Sequence, residues 1–190
     1  MTDPRDRLLT LLTQKSFLYS PEPTFKLASG AMSSFYVNCK KTTYDPEGID
    51  LVGKAFFALA EKYGPDAVGG LTLGADPIAV ATAGESYRRG KPMKAFVVRK
   101  LVKEHGTKSP IEGDLKKGDR VIILEDVITT GGSALEAIKS ARAFGLTILA
   151  VIALVDRQEG GRERLESEGL KVESVFTKDE VFARFTSLKK

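Results

Sequence analysis

The chain has 190 residues, 42% of them hydrophobic, and a single cysteine, Cys39. A chain of this length buries a substantial core without disulfide or metal staples, and one thiol excludes an internal disulfide, so one domain in a reduced compartment is expected. An excess of 29 Lys and Arg over 25 Asp and Glu is too slight to require a nucleic-acid partner, and the charged first residues, with no run approaching the roughly 20 apolar residues of a bilayer span, predict a soluble, cytoplasmic protein.

Asp6 to Gln14 carries Leu8, Leu9, Leu11 and Leu12 at helical spacing, and Pro21-Glu22-Pro23 ends that element. Thr24 to Leu27 and Ser34 to Asn38 read as short strands around the turn Ser29-Gly30-Ala31, a small antiparallel feature ahead of the main sheet. From Pro46 to Tyr63 apolar residues recur on one helical face until Gly64-Pro65. Ala67 to Leu71 is a strand, Pro77 to Arg88 a helix and Ala95 to Val98 the next strand.

About twenty residues between Val98 and Arg120 have no convincing periodicity, and loops that long in a compact domain are usually functional. This one is basic, holds the only histidine, and carries Gly106 and Gly113 as flex points, so it reads as a lid. Val121 to Leu124 is a strand, followed by a helix to about Phe144 and the apolar run Thr147 to Val155. A helix over Arg162 to Glu168, a strand over Val172 to Phe176 and a helix over Val181 to Phe185 finish the chain. Strands alternating with helices predict an α/β fold with a doubly wound parallel sheet, and the lack of repeats or linkers makes residues 1–190 one folding unit.

The stretch Val121-Ile122-Ile123-Leu124-Glu125-Asp126-Val127-Ile128-Thr129-Thr130-Gly131-Gly132-Ser133-Ala134 carries the chemistry. An apolar strand delivers two adjacent carboxylates to its carboxyl end, where open α/β sheets bind ligands. Ionised carboxylates only accept hydrogen bonds, so Glu125 and Asp126 suit the paired hydroxyls of a sugar. Beyond them Thr129, Thr130, Gly131, Gly132 and Ser133 form a hydroxyl-rich loop entering a helix, which suits a phosphate. The combination measures out a ribose 5-phosphate. The loop lacks the lysine of a Walker A sequence and the glycine spacing of a dinucleotide fingerprint.

This stretch resembles the signature of the type I phosphoribosyltransferases for phosphoribosyl pyrophosphate (PRPP). The segment Arg99-Lys100-Leu101-Val102-Lys103-Glu104-His105-Gly106 resembles the catalytic loop of orotate phosphoribosyltransferases, Arg-Lys-x-x-Lys-x-His-Gly, at every family position. Phe25 to Tyr36 resembles that family's orotate motif, Phe-x-Leu-x-Ser-Gly followed by Ser-x-x-Tyr, which forms a hood over the pyrimidine.

The resemblance implies the type I phosphoribosyltransferase fold, a mostly parallel central sheet flanked by helices with a small N-terminal hood. Its divisions are a hood over approximately 1–45 with a C-terminal contribution, a core over approximately 46–160 and a mobile lid over approximately 99–119. It implies transfer of the phosphoribosyl group from PRPP to orotate, giving orotidine 5'-monophosphate and pyrophosphate in pyrimidine synthesis. PRPP is expected on Lys26, Arg99, Lys100, Lys103, His105, Glu125, Asp126, Val127, Ile128, Thr129, Thr130, Gly131, Gly132 and Ser133, and orotate on Ser34, Phe35, Thr129 and Arg157.

Lys103, His105 and Asp126 are the expected catalytic residues. Mg²⁺ is the expected cofactor, riding in mainly on the substrate with no direct protein ligand. A homodimer is expected, with lid residues serving the partner's site. The carboxylates either hold the ribose hydroxyls and favour positive charge on the sugar or bind metal through water, and His105 is either a general acid or a neutral donor.

Two departures stand out. Where some members carry Lys in the hood this chain has Ala28, and Lys26, two residues earlier on the same face of an extended strand, is the candidate substitute. The loop after the first core strand, Gly70-Leu71-Thr72-Leu73-Gly74-Ala75-Asp76-Pro77, lacks a lysine that members often show, which leaves backbone N–H groups around Leu73 and Gly74 for the pyrophosphate. The rival readings are a phosphoribosyltransferase for another base, such as adenine, and a nucleic-acid-binding regulator of the same fold.

Overall fold

The computed structural model describes residues 3–26, 30, 32–100 and 110–189. Helix α1 (Pro4–Ser16) starts on an Asp3 carboxylate that accepts from the Arg5 N–H, has proline in its first turn, and buries the four leucines read from the sequence. Three short segments follow, β1 (Phe17–Tyr19), β2 (Phe25–Lys26) and β3 (Met32–Ser33), then β4 (Phe35–Val37) and one turn of helix, α2 (Lys40–Thr43). Helix α3 (Pro46–Ala60) is capped by Asp45, which accepts from the N–H groups of Glu47 and Gly48.

The central sheet is built from β5 (Ala67–Leu71), β6 (Lys94–Val98), β7 (Ile111–Glu112), β8 (Arg120–Ile128), β9 (Thr147–Asp156) and β10 (Val172–Thr177). Between them run α4 (Ala75–Arg88), α5 (Gly132–Phe144) and α6 (Gly161–Ser167), and α7 (Lys178–Leu188) closes the chain. The strand order is β10-β9-β8-β5-β6-β7, parallel except for β7, which runs antiparallel to β6.

Side chains alternate across the sheet as a period of two requires. Val68, Ile122, Leu124, Ile152 and Leu154 pack with α1, α3, α4 and Val181 of α7 on one face. Ala67, Val121, Ile123, Val151 and Ala153 pack with α5 and with Leu165 of α6 on the other. With both faces covered, these strands read as near-continuous apolar runs.

Four sequence expectations are corrected. The strand read at Ser34 to Asn38 pairs through Phe35–Val37 with β1, while Phe25–Lys26 pairs with Met32–Ser33, so two small antiparallel pairs are nested where one hairpin was expected. Burial of Phe17 against the rings of Phe35 and Phe185 draws β1 into this layer. The strand read at Val121 to Leu124 runs on to Ile128, because its backbone ladder with β9 continues where the side chains turn polar.

Part of the segment between Val98 and Arg120 is regular: Ile111 pairs with Val98 and Glu112 with Val97. Finally, α7 begins at Lys178 on a reciprocal capping box of Thr177 and Glu180, a Thr-x-x-Glu signal present in the sequence.

Candidate active site

Strands β5 and β8 are paired only from Ala67/Val121 to Gly69/Ile123. Beyond that point β5 stays with β6 as far as Leu71/Val98 and β8 stays with β9 as far as Ile128/Asp156. The connection from β5 passes through α4 on one face and that from β8 through α5 on the other, so their carboxyl ends part at a topological switch point. Glu125 and Asp126 occupy this crevice. Gly74 lies against them so closely that a Cβ there would sit 2.5 Å from Asp126 Oδ1, so any side chain would displace the carboxylate.

The two acids are held differently. Asp126 Oδ1 accepts from the Val127 N–H at 2.9 Å and Oδ2 lies 3.7 Å from Lys40 Nζ, so this carboxylate is fixed and partly neutralised. Glu125 is 6% exposed, and its Oε1 has no hydrogen-bond partner among the described residues. Burial, and then the charge of Asp126, push its carboxyl up to about 8 against the opposing pull of Lys100. At neutral pH Glu125 is therefore mostly a protonated acid able to donate as well as accept, aimed into a polar crevice.

After β8 the chain turns into α5 through Thr129, Thr130 and Gly131. Gly131 holds φ at +75°, and a Cβ there would lie 3.1 Å from the carbonyl oxygen of Gly161, so glycine is required by both conformation and space. The first N–H groups of α5 have no intrahelical acceptor and point out of the helix start, where its dipole favours an anion.

Two adjoining cavities result. The larger, about 520 Å³, is lined by Lys26, Tyr36, Val37, the run Glu125, Asp126, Val127, Ile128, Thr129, Thr130, Gly131, Gly132, Ser133 and Ala134, and Arg157. The smaller, about 140 Å³, is lined by Lys40, Leu71 to Gly74, Lys100, Glu125, Asp126 and Ser133.

Arg157 follows the end of β9 and is buried at 3% exposure. Its guanidinium lies 4.3 Å from the centroid of the Phe35 ring, and its Nη2 donates to Glu159 Oε1 at 2.9 Å and to Ser33 Oγ at 3.3 Å. The hood thus rests on a buried cation that one carboxylate neutralises.

Of the residues singled out from the sequence, Lys26, Lys100, Arg157 and the whole run from Glu125 to Ser133 line the cavities. Ser34 and Phe35 do not. Their neighbours Tyr36 and Val37 form that wall, because the Phe35 ring is turned onto Arg157 and Phe17. Arg99 lines neither cavity: its N–H donates to the carbonyl of Pro110 at 2.8 Å and its guanidinium pairs with Glu112 at 3.0 Å. Lys103 and His105 fall outside the described residues, as do Ala28 and Ser29 of the hood motif. Lys40 was not anticipated, since one lysine among 29 basic residues carries no signal until the fold places it over Asp126.

No family model matches the chain. It is 51% identical over 177 residues to an orotate phosphoribosyltransferase of Aquifex aeolicus, covering 93% of this chain and 97% of that protein. To the enzyme of that name from Nostoc it is 44% identical, over 97% of this chain and 88% of the other. A crystal structure of Mycobacterium tuberculosis orotate phosphoribosyltransferase in complex with PRPP superposes with a TM-score of 0.78 at 35% identity, covering 94% of this chain and 99% of that one. Identity at this level along nearly the full length, on the fold and crevice described above, shows that the chain belongs to the orotate phosphoribosyltransferase family.

Proposed function

We propose that the chain transfers the 5-phosphoribosyl group of PRPP to orotate, releasing orotidine 5'-monophosphate and pyrophosphate, in the pyrimidine branch that leads to UMP. The observation that carries this reading is one cavity bounded by the acid pair, by the loop at the start of α5 and by the buried Arg157. Those three walls match a diol, a phosphate and a carboxylate-bearing base. The PRPP complex of the Mycobacterium relative supports the first two assignments.

The roles follow from charge. Thr129, Thr130, Gly131, Gly132 and Ser133 hold the 5-phosphate with N–H and O–H donors, and Glu125 and Asp126 hold the two ribose hydroxyls. As the bond from the anomeric carbon to pyrophosphate lengthens, positive charge grows on the sugar beside the Asp126 carboxylate and negative charge on the departing group. Lys100, Lys103 and His105 neutralise the latter, and closure of the connection between β6 and β7 keeps water from the sugar cation.

Orotate lies on the hood side, its carboxylate toward Arg157, with Thr129 between the two substrates and Lys26 at the rim. The Asp126 carboxylate, with the Glu125 Oε1 that has no partner among the described residues beside it, is a hard oxygen donor that would hold Mg²⁺ through water or sugar hydroxyls. When bound, Mg²⁺ neutralises part of the pyrophosphate charge.

The protein acts as a cytoplasmic homodimer in this reading. Val80 and Tyr87, seven residues apart on α4, are 66% and 80% exposed, apolar side chains that suit contact with a second subunit. No helix among the described residues is long and apolar enough to cross a membrane.

Steady-state turnover with PRPP and Mg²⁺ tests the base assignment. Consumption of orotate with none of adenine, hypoxanthine or uracil is expected; turnover of one of those bases without orotate overturns it.

A further inference from the structure

The smaller cavity poses a charge problem. Its floor is the acid pair and its outer wall is the loop Leu71 to Gly74, which has no basic side chain, yet in the reading above a pyrophosphate enters here. Of the described residues lining it, two are cationic: Lys100 from the end of β6 and Lys40 from α2. Lys40 belongs to the hood end of the chain, far in sequence from the crevice.

Two contacts put it there. The Cys39 thiol, buried at 1% exposure, donates to the Asp126 carbonyl at 3.6 Å, which docks the start of α2 on the acid strand. The Lys40 ammonium then lies 3.7 Å from Asp126 Oδ2. At that separation it is an ion pair outside ordinary hydrogen-bond range, and the side chain is 49% exposed, so its three donors remain open to an incoming anion.

We infer that Lys40 is a substrate-binding cation that holds the pyrophosphate of PRPP against the crevice, supplying from α2 the positive charge that the loop after β5 lacks. The inference rests on the proposed PRPP reaction. It gives Lys40 two partners in turn: Asp126 in the free protein and the phosphate oxygens once substrate is bound. Contact with substrate also releases the Asp126 carboxylate from its ion pair at the moment the sugar hydroxyls arrive. The hood thereby takes part in PRPP binding as well as base binding.

Magnesium pyrophosphate titrated calorimetrically into the intact protein, together with steady-state kinetics, tests this. Lys40→Ala is expected to weaken pyrophosphate binding and raise KM for PRPP together by about tenfold or more, the loss of one charge-assisted contact, with KM for orotate little changed. Lys40→Arg retains most of the affinity. Adding Leu73→Lys to Lys40→Ala, which returns a cation from the opposite wall, recovers part of it, a result that a purely structural lysine would not produce.

Unchanged pyrophosphate affinity and PRPP KM in Lys40→Ala, with orotate turnover intact, overturn the inference and leave the proposed reaction standing. Wild-type protein that neither binds magnesium pyrophosphate nor consumes orotate removes both. Thermal melts of the three variants accompany the assay, and a loss of affinity that neither Lys40→Arg nor the double variant reverses also overturns the inference.

Discussion

The phosphate cradle and the hood are built on opposite principles. Residues 120–134 supply the proposed cradle from one uninterrupted stretch: two acids, three hydroxyls, N–H groups at a helix start and a left-handed glycine. The hood is assembled from β1 to β4, each two or three residues long; the rings of Phe17, Phe35, Phe182 and Phe185 tie β1 and β4 to α7, Phe25 on Tyr36 ties β2 to β4, and Phe35 rests on Arg157. A phosphate is alike in every substrate of this type and needs donors in a fixed arc. A flat base must be distinguished from other flat bases, which requires side chains brought from separate parts of the chain.

If that division holds, damage on one side leaves the other side's substrate alone. The largest effect is expected for Asp126→Asn, which removes the fixed negative charge beside the reacting sugar. A fall in kcat/KM for PRPP of about 100- to 1,000-fold, with the orotate KM changed far less, is anticipated. If the lids of the proposed dimer serve the partner's site, mixing Asp126→Asn subunits with Lys103→Ala subunits restores turnover above either parent, because one site in the mixed dimer is then intact. Failure to complement shows that each lid serves its own subunit.

The next effect concerns stability. Glu125 has its carboxyl raised to about 8 in the folded protein from a reference of 4.5. Between those values the unfolded chain binds fewer protons than the folded one, so stability contributed at this site declines as pH rises through the window and levels off above it. Glu125→Gln lacks that slope. Its unfolding free energy, from denaturant melts without ligand, is expected to match wild type near pH 4 and exceed it near pH 8.5 by something on the order of a few kcal/mol. Parallel curves across the range would mean that Glu125 ionises normally.

The smallest effect belongs to the hood. Phe35→Ala removes the ring beneath the Arg157 guanidinium, an interaction of about 0.5 to 2 kcal/mol when partly desolvated. A several-fold rise in the orotate KM with an unaltered PRPP KM is anticipated from initial rates. An equal change in both constants would show that hood and cradle are one unit, as the role inferred for Lys40 already suggests at their border.

Much of this architecture was legible in the chain, and the reason is local. An apolar stretch buried on both sides, two acids, then hydroxyls and glycines before a helical pattern can be read without knowing what lies nearby, because strand period, helix start and left-handed glycine are properties of neighbouring residues. Alternating strands and helices then limited the sheet to a doubly wound form. The Thr177–Glu180 capping box was equally local and marks a helix that begins three residues before the apolar pattern of α7 does.

Other features had no sequence signal to read. That β1 rather than β2 pairs with β4, that Ile111 returns to β6, that Phe35 turns onto Arg157 and that Lys40 stands over Asp126 depend on the path of the chain. The raised pKa of Glu125 likewise exists only once other elements strip its water away. Hydrophobic periodicity reports which way a residue faces, and motif spacing reports what a short segment can hold. Neither reports which distant segment will meet it, because that is settled by packing the whole chain around one sheet, where Cys39 reaches Asp126 across 87 positions and Ser33 reaches Arg157 across 124.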